Sequence, residues 1–428
     1  MGQLNDHQRS FIKEMIAIKS VGGAPCPGAP YGKEPRAALD AFLSRAASEG
    51  FLTGVLDDRV GWCEIGSGSK MMGIVCHLDV VPEGEGWEKP PFEATFENGM
   101  IYGRGIVDDK GPAIVSFLAM KELKDSGTDL GMRVRLILGT DEERTCSCVE
   151  YYDGNGEIPD ISITPDAEFP VIYAEKGILH VKISDPRPAP SSFTAKGGDA
   201  ANMVPPSASA KIGGQLISVK GKMAHASKPE LGINAIELLP SALPSEISLP
   251  LINFVGAYDP SSICSIKDDS GKLTSNIGIL RINSEEQYMI IDIRYPVTAS
   301  VGDIVSRVSE QASEYGLITE IQSHMAPVYK DKDSDAIRAL TEVWKKHMKD
   351  FDGYKDEYSD LYSEPLAIGG GTYARHMRNT IAFGIQTPWA EDQCHQANEH
   401  ISENDFLKCR DVIKDAILKI AGALPDPS

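Results

Sequence analysis

The stretch MMGIVCHLD, residues 71–79, starts as an apolar run and ends on a histidine and an aspartate two positions apart. The run reads as a buried strand. If it extends that far, His77 and Asp79, at i and i+2, leave on the same face. The segments downstream keep an alternating rhythm. KGPAIVSFLAMKELKDSG (110–127) has Pro112 near a helix start, apolar residues at helical spacing and Gly127 as a stop, whereas RVRLILG (133–139) and ISIT (161–164) are strand-like. This predicts an α/β unit, a mostly parallel sheet sandwiched by helices.

After residue 177 the texture changes. Pro and Gly cluster at 186–206, and then QLISVK, INAIELLPSAL, SNIGILRI, QYMIIDIRY, VGDIVSRVSEQASEY and ITEIQS follow as strand, helix, two strands, helix and strand. That β-α-β-β-α-β order is the ferredoxin-like plan of a small α+β domain. From 327 the α/β texture returns, with a charged helix near 333–348 and the strand IAFGI at 381–385. A chain of 428 residues exceeds one ordinary core. The expected division is therefore 1–177 and 327–428 as the two parts of a catalytic domain, with 178–326 inserted as a lid.

The 42 lysines and arginines against 62 aspartates and glutamates give a net charge of −20, which repels phosphate backbones and anionic lipid, so neither nucleic acid nor membrane is expected as a partner. The start, MGQLNDHQRS, lacks a basic segment leading into an apolar core, and Asp6 breaks the myristoylation pattern. No apolar stretch reaches the roughly 18 residues of a membrane span. The eight cysteines form no CxxC pair and no framework spacing. Reduced thiols and a cytoplasmic location are expected.

The polar residues at the end of the first strand have counterparts. Asp108 and Asp109 lie in GRGIVDDKGP, Glu142 and Glu143 in GTDEER, Asp166 in TPDAEF and His395 in CHQANEH, each close to a predicted strand or helix end. Loops at the carboxyl ends of parallel strands line one crevice, so these residues can meet. Asp79, Asp108, Glu142, Glu143 and Asp166 would then share a pocket. Two like charges about 4 Å apart repel by roughly 4 kcal/mol at an effective dielectric near 20. Such a group is untenable unless protonated or neutralised, and lysine and arginine are sparse in these loops. Two divalent cations supply the missing charge, and histidines with carboxylates suit zinc. Singly the signals are weak: a lone His-x-Asp is more often a surface pair, and Asp109 reads as a turn residue. Their joint arrangement carries the metal reading.

Taken in order, HLDVVPEGEGW, YGRGIVDDKGP, GTDEE, TPDAEFP, GKMAHASKPELGINA, GGGTYAR and HQANEH resemble the PepV-like dipeptidases. These belong to the dinuclear zinc metallopeptidases that include carnosinase, aminoacylase, carboxypeptidase G and succinyl-diaminopimelate desuccinylase. The resemblance runs from about residue 70 to 405. It implies two zinc ions per chain, with manganese or cobalt as substitutes. Asp108 would bridge them, His77 and Asp166 would complete one site, and Glu143 and His395 the other. Asp79 would steer His77 through its free ring nitrogen. The peptide after the bridging aspartate, here Asp108 to Asp109, is commonly cis in the family.

The resemblance further implies that Glu142 takes a proton from a water between the ions and passes it to the departing amine, cleaving the peptide bond of a dipeptide. His225, by its residue context alone a loop-facing polar side chain, would stabilise the developing negative oxygen from the lid. Asn202, Arg294 and the loop containing Gly370, Gly371 and Thr372 would hold the substrate backbone and its C-terminal carboxylate. A small peptide is the expected partner, and a monomer is favoured over a homodimer.

The nearest rival is an amidohydrolase of the same family acting on N-acyl amino acids. A phosphate-binding protein built on GSGSK (66–70) or the GGG triplet is disfavoured, because neither has phosphate-loop or dinucleotide glycine spacing. A binding protein that has lost catalysis is disfavoured by the presence of all seven chemical positions.

Overall fold

Every residue of the strand Met71–His77 is buried, because it lies inside a sheet. It pairs in parallel with Arg133–Gly139 on one side and Ile161–Thr164 on the other, and Thr380–Ala382 extends the parallel core beyond Ile161–Thr164. Antiparallel strands flank this core, with Leu52–Leu56 and Val60–Gly66 at one end and Ile172 against Ala382 at the other. In this computed structural model, which describes residues 3–423, the sheet belongs to one of two units. The first comprises residues up to Tyr173, Lys330–Leu366 and those from Thr372 onward; the second is Ala174–Tyr329 with Ala367–Gly371.

The helix expected over 110–127 spans Lys110–Asp125, and Gly127 turns the chain at φ 67°. It is buried along most of its length, since the helices Asp6–Ala17 and Glu403–Ala423 pack on it as well as the sheet. Phe117 forms the centre of an aromatic cluster with Phe11, Phe42 and Phe51, at ring-centroid distances of 5.4, 5.7 and 4.6 Å. A second cluster stacks Phe169 on Trp344 at 4.5 Å, with Phe351 and Phe383 against it.

The second unit is a seven-stranded antiparallel sheet in the order Gln215–Lys220, Ser207–Ile212, Phe193–Gly197, Thr274–Ile282, Gln287–Tyr295, Gly177–Ser184, Ile318–Met325. Its β-α-β-β-α-β core is present, but the first strand is Gly177–Ser184, between the third and fourth, while QLISVK lies at the far edge of the sheet. The reason is alternation: Leu179, Val181 and Ile183 enter the core while His180 and Lys182 remain partly exposed. The segment 367–371 joins this unit because Lys176 donates its backbone N–H to Ile368 at 2.9 Å and Arg294 donates to Gly369 at 3.0 Å. The unit boundaries fall at 173/174 and 329/330 rather than 177/178 and 326/327.

All eight cysteines are free. Among the described residues no helix is long and apolar enough to cross a membrane. Truncating Phe117 to Ala removes the ring that joins three others in the core, and chemical denaturation should show a loss of about 3–5 kcal/mol.

Candidate metal centre

Parallel pairing puts the carboxyl ends of Met71–His77, Arg133–Gly139 and Ile161–Thr164 at one edge of the sheet, and these ends deliver His77, the pair Glu142 and Glu143, and Asp166. Asp108 comes from the turn before the helix Lys110–Asp125, and His395 from the loop following Thr380–Ala382. The Asp108–Asp109 peptide is cis. One oxygen of Asp108 lies 3.0 Å from His77 Nε2, and its other oxygen lies 3.2 Å from His395 Nε2. Asp166 and Glu142 approach His77 Nε2 to 3.7 and 3.9 Å, while Glu143 reaches His395 Nε2 at 3.0 Å.

The residues around this cluster set its geometry. His77 Nδ1 lies 3.0 Å from the Asp79 main-chain carbonyl and 3.5 Å from its carboxylate. A carbonyl only accepts, so Nδ1 carries a proton and Nε2 is turned to the cluster. The two Asp79 carboxylate oxygens accept the backbone N–H groups of Glu142 and Glu143, each at 3.1 Å. Asp109, read from sequence as a turn residue, is fully buried, and its carboxylate accepts the His77 N–H at 2.7 Å. Cys146 Sγ donates toward Glu142 Oε1 at 3.6 Å. Gly384 lets the Asp166 loop approach: a Cβ there would sit 1.7 Å from the Ala167 carbonyl oxygen.

Crowding and burial displace the proton affinities of these groups. Burial pushes Glu142 up to about 7, with Asp108, Glu143 and Asp79 adding to the effect against His77. Burial likewise raises Asp166 well above the usual carboxylate range, helped by the charges of Asp108 and Asp109. Burial alone would depress His77, but its hydrogen bonds to Asp108 and Asp79 prevail and raise it. Hydrogen bonds to Asp108 and Glu143 carry His395 up to about 10.

The donor set fits divalent cations. Ligand atoms of His77, Glu142 and Asp166 lie within 4.8 Å of one another, as do those of His77, Asp108 and Glu143. One carboxylate whose two oxygens face two different histidines is an arrangement that a pair of cations can share.

In the second unit, Asn202 and His225 are exposed and neighbouring: the Asn202 carbonyl accepts the Ala226 N–H at 2.9 Å, and Met203–Val204 pairs with Ala224–His225. His225 Nδ1 lies 2.7 Å from Ser227 Oγ. Arg294 is buried, its Nε and Nη2 donating to the two Asp292 oxygens at 2.7 and 2.8 Å, and its Nη1 to the Gly369 carbonyl. It thereby anchors the segment containing Gly370 and Gly371. Thr372 lies in the first unit, where its hydroxyl caps the Tyr373–Arg375 turn by accepting the Ala374 N–H. Sequence reasoning assigned no part to Asp292, Cys146 or the buried ion pair of Arg104 and Glu399. Glu399 stood inside the HQANEH motif, the one signal that pointed to it.

Two measurements test this centre. In chelator, groups raised on folding bind more protons folded than unfolded. Their contribution is therefore present at low pH and lost as pH rises, through about 7 for Glu142 and about 10 for His395. The melting temperature of chelated protein should fall across this range, and zinc should restore it, most strongly at neutral pH and above. Gly384→Ala should loosen the Asp166 loop and weaken metal binding, read by titration against a chromogenic chelator.

Residues 73–419 match the model of Peptidase family M20/M25/M40. A Bacillus subtilis protein provisionally named a dipeptidase, YtjP, is 35% identical, with 96% of each chain covered. A Staphylococcus aureus protein carrying the same provisional description is 30% identical, with 98% of each covered. Among solved structures, aminoacylhistidine dipeptidase from Vibrio alginolyticus superposes with a TM-score of 0.62 at 12% identity, covering 100% of this chain and 98% of that one. Human carnosine dipeptidase 1 superposes at 0.60 with 14% identity, covering 97% of both. At such identities the superpositions speak for the fold, and the family match with the curated relatives speaks for the lineage: the chain belongs to Peptidase family M20/M25/M40 and is a metallopeptidase.

Proposed function

We propose that the protein hydrolyses the peptide bond of dipeptides with two divalent cations, zinc in the first instance. His77 and Asp166 would hold one, Glu143 and His395 the other, and Asp108 both. The observation that carries this reading is the placement of Asp108, one oxygen toward His77 and the other toward His395. The choice of dipeptides over other amides is supported by the names of relatives that are 30% and 35% identical over nearly the whole chain.

When bound, the cations supply positive charge that acidifies water and polarises the scissile carbonyl. Glu142 takes the proton of the attacking water and delivers it to the departing amine nitrogen. Asp79 holds the Glu142 and Glu143 backbone and, through its carbonyl, fixes the His77 ring. His225 is assigned the donor to the carbonyl oxygen as it becomes negative. Asn202, Gly370, Gly371 and Thr372 are assigned to the substrate backbone and C-terminal carboxylate, and Arg294 acts together with the segment it anchors. Eight free cysteines favour a reducing compartment, hence the cytoplasm.

A panel of free dipeptides assayed beside acetyl- and succinyl-amino acids separates the two amide chemistries; turnover of the blocked substrates alone would replace the dipeptidase reading with the deacylase one. Glu142→Gln should retain its metal and lose about 10² to 10⁴ in kcat. His225→Ala should lose about 10² to 10³ in kcat at unchanged metal occupancy. Parallel loss of metal in the His225 variant would contradict the role given to it.

A further inference from the structure

Glu399 is completely buried four residues beyond His395, and its carboxylate is taken up by one other loop. Oε1 accepts the backbone N–H groups of Gly105, Val107 and Asp108 at 3.1, 2.8 and 3.2 Å. Oε2 accepts Gly105 N–H at 3.0 Å and Arg104 Nη1 at 2.8 Å. Its main-chain carbonyl accepts the Gly103 N–H at 3.1 Å. Arg104, 1% exposed, reaches further: Nη2 donates to the Glu83 carbonyl at 3.2 Å, and the guanidinium lies 5.2 Å from the centroid of the Trp87 ring. One ion pair therefore joins the loop following His77, the loop ending in Asp108 and the loop carrying His395.

A buried ion pair is a poor source of net stability, because desolvating both charges offsets most of their attraction. Amide hydrogen bonds to a carboxylate are charge-assisted and directional, so what this pair supplies is a fixed backbone. We propose that Glu399 is a positioning residue for the metal centre: with Arg104 it locks residues 103–108 so that both Asp108 oxygens face their histidines before a cation arrives. The proposal rests on the reading of Asp108 as the shared ligand.

Glu399→Gln keeps the side-chain shape but replaces one acceptor oxygen by an amide nitrogen that cannot accept. Zinc affinity, measured by competition with a chromogenic chelator, should fall about 10- to 100-fold. Alongside, kcat should fall with KM unchanged. The unfolding midpoint in chelator should fall too, because Arg104 is left as a buried charge without its partner, so zinc affinity is compared at a temperature where both proteins are fully folded. Zinc affinity equal to the parent's overturns the proposal. Should Glu399→Gln fail to fold, Arg104→Lys, which keeps the buried charge but loses the planar fork, is read in the same way: weaker zinc supports the role and unchanged zinc refutes it. A parent protein that binds no zinc overturns the Asp108 reading and this one together. Tight parent binding with unaltered variants overturns only the role of Glu399.

Discussion

Carboxylates repel one another most strongly where water is scarce, and the edge of the parallel core gathers several of them at or near the surface of the interior. Asp108 is nearly buried and Asp79 fully so, with Glu142, Glu143 and Asp166 alongside. The fold brings them together by placing strand ends side by side, which makes their positions a property of the sheet rather than of any local sequence. The electrostatic cost is then met by whatever positive charge is at hand. It shows in the proton affinities of Glu142, Asp166 and the two histidines, all raised above their ordinary range. The preference for cations follows from the same constraint.

The loops bearing these residues interlock through acids that the cluster does not itself use as its shared centre. Asp109, on the Asp108 turn, holds the His77 amide. Asp79, on the His77 loop, holds the amides of Glu142 and Glu143, and Glu143 in return accepts the Val81 N–H. Glu399, on the His395 loop, holds the amides leading to Asp108. The loops of His77, of Glu142 and Glu143, and of Asp108 are thus each fixed by a carboxylate from another. Negative charge on one segment is matched to backbone dipoles on the next, a rigid arrangement that needs few cationic side chains.

Much of the fold was legible because long, periodic segments announce themselves: the helix bounded by Pro112 and Gly127 and the strands at 133–139 and 161–164 were found close to their true limits. Gly177–Ser184 was not recognised as the first strand of the second unit, although its alternation is regular, because neighbouring Pro and Gly clusters obscured it. The candidate ligands were legible as residue types at strand ends. Of the acids that hold them, Asp79 was singled out for its place beside His77, but Asp109 and Glu399 were not, because accepting backbone amides requires no particular spacing. Asp109 looked like a turn residue, and Glu399 an unassigned member of a motif. Arg294 was legible as a cation suited to carboxylates, and the i, i+2 rule applied to His77 and Asp79 also puts Asp292 on its strand face, although Asp292 was given no part.

The insertion of the second unit between Tyr173 and Lys330 also has a consequence for biosynthesis. Strand Thr380–Ala382 is wedged between Ile161–Thr164 and Ile172, so the ribosome must translate the entire insertion before the sheet around it can close. His395 emerges later still. At about 5–20 residues per second, Asp166 waits on the order of ten seconds or more for that partner. Nascent chains therefore expose an incomplete set of donors until residue 395 has emerged, and the full constellation forms only from that point on.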